Sequence, residues 1–221
     1  MRATSLVAPI ALGGSVGLGV GLGFGLGACA GDAAAPAVDA PGGASDARGG
    51  ADAATIDAAG DAAPAGSFAL TSPTITDGGT IPLAHVCAGR GGMNRSPALA
   101  FADPPAGTLS YAVVLTDKTN GLVHSAIYDI PGTATGLPAD VDKVYAPPDV
   151  ASAHQTASYD SAVRGYNGPC PPAVHTYELR AYAVTSATLP GATMATTKEQ
   201  VVSILATASA GSATLTATFT P

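Results

Sequence analysis

From Ala30 to Gly66 the chain is built of Ala, Gly, Asp and Pro and carries almost no large apolar side chain. Such a segment cannot bury enough surface to offset its ordering entropy. The core of this 221-residue protein must therefore come from residues 67–221. Residues 29–66 read as a disordered tether, kept solvated and extended by Asp32, Asp39, Asp46, Asp52, Asp57 and Asp61. That run holds most of the net charge of −7, set by 16 acidic against 9 basic residues. With no basic excess to neutralise a phosphate backbone, nucleic-acid binding is excluded as the main task.

Ahead of the tether, Arg2 is followed by an uncharged stretch from Ala3 to Ala28 that ends in Leu26-Gly27-Ala28-Cys29. A basic start, an apolar run and small residues before a cut describe an export signal over 1–28. The alternative, an uncleaved membrane helix, is disfavoured by glycines at 13, 14, 17, 19, 21, 23, 25 and 27. The Gly-x-Gly run is no nucleotide loop, because no strand precedes it and no βαβ unit follows. The segment resembles a bacterial lipoprotein signal. That resemblance implies cleavage before Cys29, a lipid on Cys29 and a protein anchored in the cell envelope. Ala30, where an Asp would signal retention, implies the outer membrane of a Gram-negative bacterium.

From Ser67 the texture becomes that of short strands. Phe68–Thr71 opens the pattern, and Ser110–Thr116 and His124–Ile130 are β-branched runs of strand length. His175–Val184 follows, and Ser212–Thr220 alternates, with Ala213, Leu215, Ala217 and Phe219 on one face and threonines on the other. One helix is expected near 196–208, with Thr196-Thr-Lys-Glu199 fitting a capping box. Aromatics are 5% and Trp is absent, so the core is mostly aliphatic. The pattern is mainly β, a sandwich or barrel with a late helix and long loops at 72–98 and 138–173. Loops of that length in a compact domain are usually functional or disordered.

Asp117 ends one expected strand, and His124 opens the next beyond Asn120-Gly121. The stiff turn Gly168-Pro-Cys-Pro-Pro172 precedes a third, which begins His175-Thr-Tyr177. Residues i and i+2 share a strand face, so His175 and Tyr177 point the same way. If the three strands are neighbours, Asp117, His124, His175 and Tyr177 meet at one sheet edge. His85 and His154 are read as solvated loop residues, and Tyr166 as core.

Taken in order, these residues resemble the phosphatidylethanolamine-binding protein (Raf-kinase-inhibitor-like) family, in its bacterial branch. Ser72-Pro73, Asp77-Gly78-Gly79, Cys87-Ala-Gly89, Asn94-Arg-Ser96-Pro97, Leu115-Thr-Asp117, Val123-His124, Tyr128-Asp-Ile130-Pro131 and Gly165-Tyr-Asn-Gly-Pro-Cys-Pro-Pro172 with His175 and Tyr177 carry it. The resemblance implies a domain over 67–221, an antiparallel two-sheet β-sandwich with a small anion pocket at one edge. Asp117, His124, Gly168, Pro169, His175 and Tyr177 are its expected ligand-binding residues. The sequence departs from the family where Asp-Pro-Asp-x-Pro reads Asp117-Lys-Thr-Asn-Gly121. It departs again where Ser125 replaces a Trp that often follows the His, and where Thr176 replaces an Arg.

Two cysteines remain beside Cys29. In an oxidising compartment Cys87 and Cys170 can pair, closing a loop worth on the order of 4 kcal/mol; the alternative is two reduced buried thiols. The expectation is an exported lipoprotein that binds a small anionic or phosphorylated ligand without catalysis, metal or cofactor. One alternative is a protein-interaction or inhibitor module acting through surface loops. The other is a metal-dependent enzyme at Asp117, His124 and His175, a two-His-one-carboxylate set of the kind that holds iron or zinc.

Overall fold

A computed structural model describes residues 66–221. The expected export signal over 1–28, the expected lipidation at Cys29 and all but the last residue of the expected tether over 29–66 lie outside the described residues. The elements run β1 (Ala69–Thr71), β2 (Gly79–Thr80), β3 (Leu99–Ala102), β4 (Ser110–Asp117), β5 (Val123–Pro131), β6 (Gly136–Leu137), β7 (His154–Gln155), β8 (His175–Val184), α1 (Lys198–Ala208) and β9 (Ser209–Phe219). A three-stranded sheet has the order β1-β3-β6, and a six-stranded sheet the order β2-β9-β8-β4-β5-β7. Every pairing is antiparallel except β2 with β9. The fold is a mainly β two-sheet sandwich with one helix.

β4 explains why its sequence is apolar without alternation. Tyr111, Val113 and Leu115 point into the core between the sheets, beside Ile127, Leu179, Leu215 and Phe101. Ala112 and Val114 point the other way, onto Val201 and Leu205 of α1. Strands buried on both faces read as continuous apolar runs. β9 alternates as expected: Ala213, Leu215, Ala217 and Phe219 are buried, and the intervening threonines are not. Ser125, on β5, borders a void of about 40 Å³ between the sheets, with Leu99, Val113, Leu115 and Leu179.

The helix cap sits one residue later than the sequence pattern indicates. Thr197 is the N-cap: its side chain accepts from the Gln200 amide, and the Gln200 side chain accepts from the Thr197 amide at 2.9 Å. Thr196 is engaged elsewhere, its hydroxyl accepting from the Thr193 amide at 2.8 Å. Gln serves the box as well as Glu does. This register puts Val201 and Leu205 on the sheet, both with no exposed surface.

His85 and His154 are not the solvated loop residues that the sequence suggests. His85 is buried between Thr74 Oγ1 and the Arg95 carbonyl, 2.9 Å from each. His154 is half-buried on β7, its Nδ1 2.9 Å from Asp129 Oδ2. Each of these ring edges is hydrogen-bonded, as buried polar groups require. Tyr166 is buried in the core, its hydroxyl donating to the His85 carbonyl at 2.6 Å.

Candidate functional site

The strand order makes β8, β4 and β5 consecutive neighbours, and one end of this trio carries the polar residues. Asp117, the last residue of β4, lies opposite Tyr177 of β8 in register. His124 enters from the start of β5, and His175 opens β8. A cleft of about 170 Å³ lies among them, lined by Asp117, His124, His175, Tyr177, Tyr159 and Cys170 with Asn120, Leu122, Pro171 and Pro172.

The turn between β4 and β5, which lacks prolines, is held by hydrogen bonds. Asp117 Oδ1 accepts from the Thr119 amide at 2.9 Å, and the Gly121 amide donates to the Asp117 carbonyl at 2.8 Å. Gly121 has φ 78°, a conformation glycine adopts at little cost. Thr119 uses its hydroxyl to accept from the Thr176 amide at 2.9 Å, clipping the turn to β8.

Both imidazoles are pinned through Nδ1. His175 Nδ1 lies 2.5 Å from Asp117 Oδ2. His124 Nδ1 lies 2.9 Å from the Asn167 carbonyl. Carboxylates and carbonyls only accept, so both Nδ1 atoms carry hydrogen. Among the described residues neither Nε2 has a protein partner, and each is free for the cleft. His124 also packs edge-on against Tyr159 and Tyr177, at centroid distances of 4.5 and 5.4 Å. Burial holds His124 below the usual imidazole range; the Asn167 carbonyl and Asp117 pull it upward, while His175 and Lys198 add to the depression. Burial, and next the Asp117 carboxylate beside it, push the Tyr177 phenol up, so that it stays a protonated donor.

Asn167 is held in turn. Asn94 Nδ2 donates to Asn167 Oδ1 at 3.1 Å, and Asn167 Nδ2 donates to Ser158 Oγ at 3.3 Å. Asn94 Oδ1 accepts from the Gly168 amide at 2.8 Å. Gly168 and Pro169 are buried behind the wall and do not line the cleft. A Cβ on Gly168 would meet the His85 carbonyl oxygen at 2.1 Å, so only glycine allows this approach. The wall itself is Cys170-Pro171-Pro172. Cys170 is joined to Cys87 by a disulfide with Cα atoms 5.4 Å apart.

The cleft brings together Asp117, His124, His175 and Tyr177 and displaces Gly168 and Pro169 to a supporting position. The sequence pattern assigns no role to Tyr159, which lies in a loop without period, or to Asn167, although Asn167 falls inside the Gly165–Pro172 motif. Among the described residues no three His, Cys, Asp or Glu side chains are placed to hold a metal ion. Asp117 spends one oxygen on His175 and the other on its own turn, which undercuts the two-His-one-carboxylate reading.

The family model for phosphatidylethanolamine-binding proteins matches residues 71–220. The UPF0098 protein YbcL of Escherichia coli is 32% identical over 137 residues, covering 58% of this chain and 74% of that protein. A UPF0098 protein of Aquifex aeolicus is 33% identical over 109 residues, covering 48% of this chain and 60% of its own. The crystal structure of E. coli YbcL, described as a new member of the mammalian PEBP family, superposes with a TM-score of 0.62 at 27% identity. It covers 70% of this chain and 98% of that one. A phosphatidylethanolamine-binding protein homologue of Chlamydia trachomatis superposes with a TM-score of 0.58 at 25% identity and the same coverage.

Proposed function

This chain belongs to the phosphatidylethanolamine-binding protein family, and from that premise we propose that it is an exported lipoprotein whose β domain binds a small anionic or phosphorylated ligand without catalysis. One observation carries the reading: two imidazoles with their Nδ1 atoms pinned leave both Nε2 atoms unpartnered in the same cleft. Protonated imidazole donates from both ring nitrogens, so each Nε2 can hold an anionic oxygen. Tyr177 adds a phenol donor. Asp117 keeps His175 oriented and offsets its charge. Convergent polar groups in one concave site with mixed apolar walls are the usual form of a small-molecule pocket. On this reading a lipid on Cys29 and the tether hold the pocket at the outer membrane, within reach of soluble phosphorylated compounds and of head groups.

Thermal unfolding of the full chain with phosphoethanolamine, inorganic phosphate or zinc tests this. At a hundred times its dissociation constant a ligand of the folded state stabilises by about 2.7 kcal/mol, which for a domain of this size raises Tm by roughly 5–10 °C. The expected result is a rise with phosphoethanolamine or phosphate that His175→Ala abolishes. A rise with zinc alone, or no rise with either phosphate compound, overturns the reading.

A further inference from the structure

The Cys87–Cys170 bridge has an asymmetric setting. Cys87 is buried, whereas Cys170 is exposed and lines the cleft. The turn in front of Cys170 is well held: the Cys87 amide donates to the Pro169 carbonyl at 3.0 Å, and the Gly168 amide is bonded to Asn94. Beyond Pro169 the ties stop. Among the described residues no hydrogen bond reaches Cys170–Val174, and Pro171 and Pro172 have no amide hydrogen to offer. The disulfide is therefore the one cross-link on the stretch that forms the cleft wall and leads directly into His175.

We propose that this bridge sets the anion affinity of the cleft, so that a dithiol reductant weakens binding and reoxidation restores it. The proposal rests on the anion-binding reading above. Exposed disulfides are the ones open to thiol exchange. A thiolate of the reductant attacks Cys170 Sγ, the S–S bond breaks, and Cys87 leaves as a thiolate that takes a proton. The reductant's second thiol then displaces Cys170 from the mixed disulfide. Two electrons and two protons have passed to the protein, and the reductant ends as a disulfide. With the cross-link gone, the 170–174 stretch must be ordered at the moment of binding. His124 keeps its Asn167 support, so the reduced cleft is weakened and not abolished. Ordering a few side chains costs about a factor of ten in affinity.

The test is a calorimetric titration of the full chain with inorganic phosphate in a Cys29→Ser background, so that no third thiol takes part. It is run oxidised, after dithiothreitol, and after reoxidation, with a Cys87→Ser/Cys170→Ser variant as the permanently open form. About tenfold weaker binding on reduction, recovered on reoxidation and absent as a response in the double variant, is expected. Equal affinity in both redox states overturns the gate and leaves the anion reading standing. No phosphate binding in the oxidised protein overturns the anion reading and the gate with it. Hydrogen exchange separates a local gate from a general staple. Faster exchange on reduction at the hydrogen-bonded Thr176 amide just beyond the stretch, with the amides of the central strands unchanged, supports the gate, and faster exchange at every strand amide overturns it.

Discussion

Burial leaves the His124 imidazole uncharged near neutral pH, and its Nδ1 hydrogen is committed to the Asn167 carbonyl. The Nε2 that faces an incoming anion is then a lone pair, and two lone pairs repel. Binding a dianion must therefore bring a proton with it. Sulfate, which keeps its charge across this range, is the cleanest probe. Its affinity should weaken toward one decade per pH unit as pH rises above the lowered pKa of His124 in the free protein and toward its higher pKa in the complex. His124→Gln should reduce that slope, and sulfate binding to the unmutated protein that is flat from about pH 5.5 to 8 would contradict it. The free protein shows the opposite sign. Its folded His124 pKa lies below the unfolded value of about 6.5, so its stabilising contribution is present above that pH and is lost as pH falls through the folded pKa. At this scale Asp117, His124, His175 and Tyr177 were legible because strand ends and an i, i+2 pair have fixed geometry. Asn167 was not, because it acts through its backbone carbonyl, which no side-chain pattern reports.

The long strands and the helix announced themselves by apolar runs and period, whereas β2, β6 and β7 are two residues each and left no pattern to read. The helix start shows the limit of a local motif. Thr196 and Glu199 satisfy the box as written, yet the structure selects Thr197 and Gln200, because that register sends Val201 and Leu205 onto Ala112, Val114 and Tyr128. Packing decides between two caps of similar worth. Thr197→Ala should cost about 1 kcal/mol, a fall of roughly 2–4 °C in Tm. Thr196→Ala should cost less, since its hydroxyl serves only the turn at Thr193. Thermal unfolding of the two variants checks the order, and a larger loss for Thr196→Ala would restore the motif's own register. The β4–β5 turn teaches the same lesson from the other side. Its loss of prolines reads as a loss of rigidity, but Thr119 and Asp117 replace the missing restraint with hydrogen bonds.

At the scale of the whole molecule, the composition changes near residue 67, and the core of the described residues is built from positions beyond that break. The N-terminal segment then has a single proposed role, to hold the β domain at a membrane through Cys29. Cells expressing the full chain and fed labelled palmitate should incorporate label into the protein, and Cys29→Ala should abolish both the label and its recovery with the envelope. Label retained in Cys29→Ala would contradict the assignment. The pocket is likewise a product of the entire sandwich. It exists only because β8, β4 and β5 are neighbours and because the 83–90 and 167–172 segments are pinned to each other. The most direct measurement is the long-range proton–nitrogen NMR spectrum of the imidazoles in the full chain during titration with phosphoethanolamine. Four histidines are present, and two of them, His85 and His154, serve as internal controls. The Nε2 resonances of His124 and His175 should move together to saturation while those of His85 and His154 stay in place. Unmoved His124 and His175 signals in the presence of excess phosphoethanolamine would mean that the cleft does not take this ligand, against the binding role proposed for it.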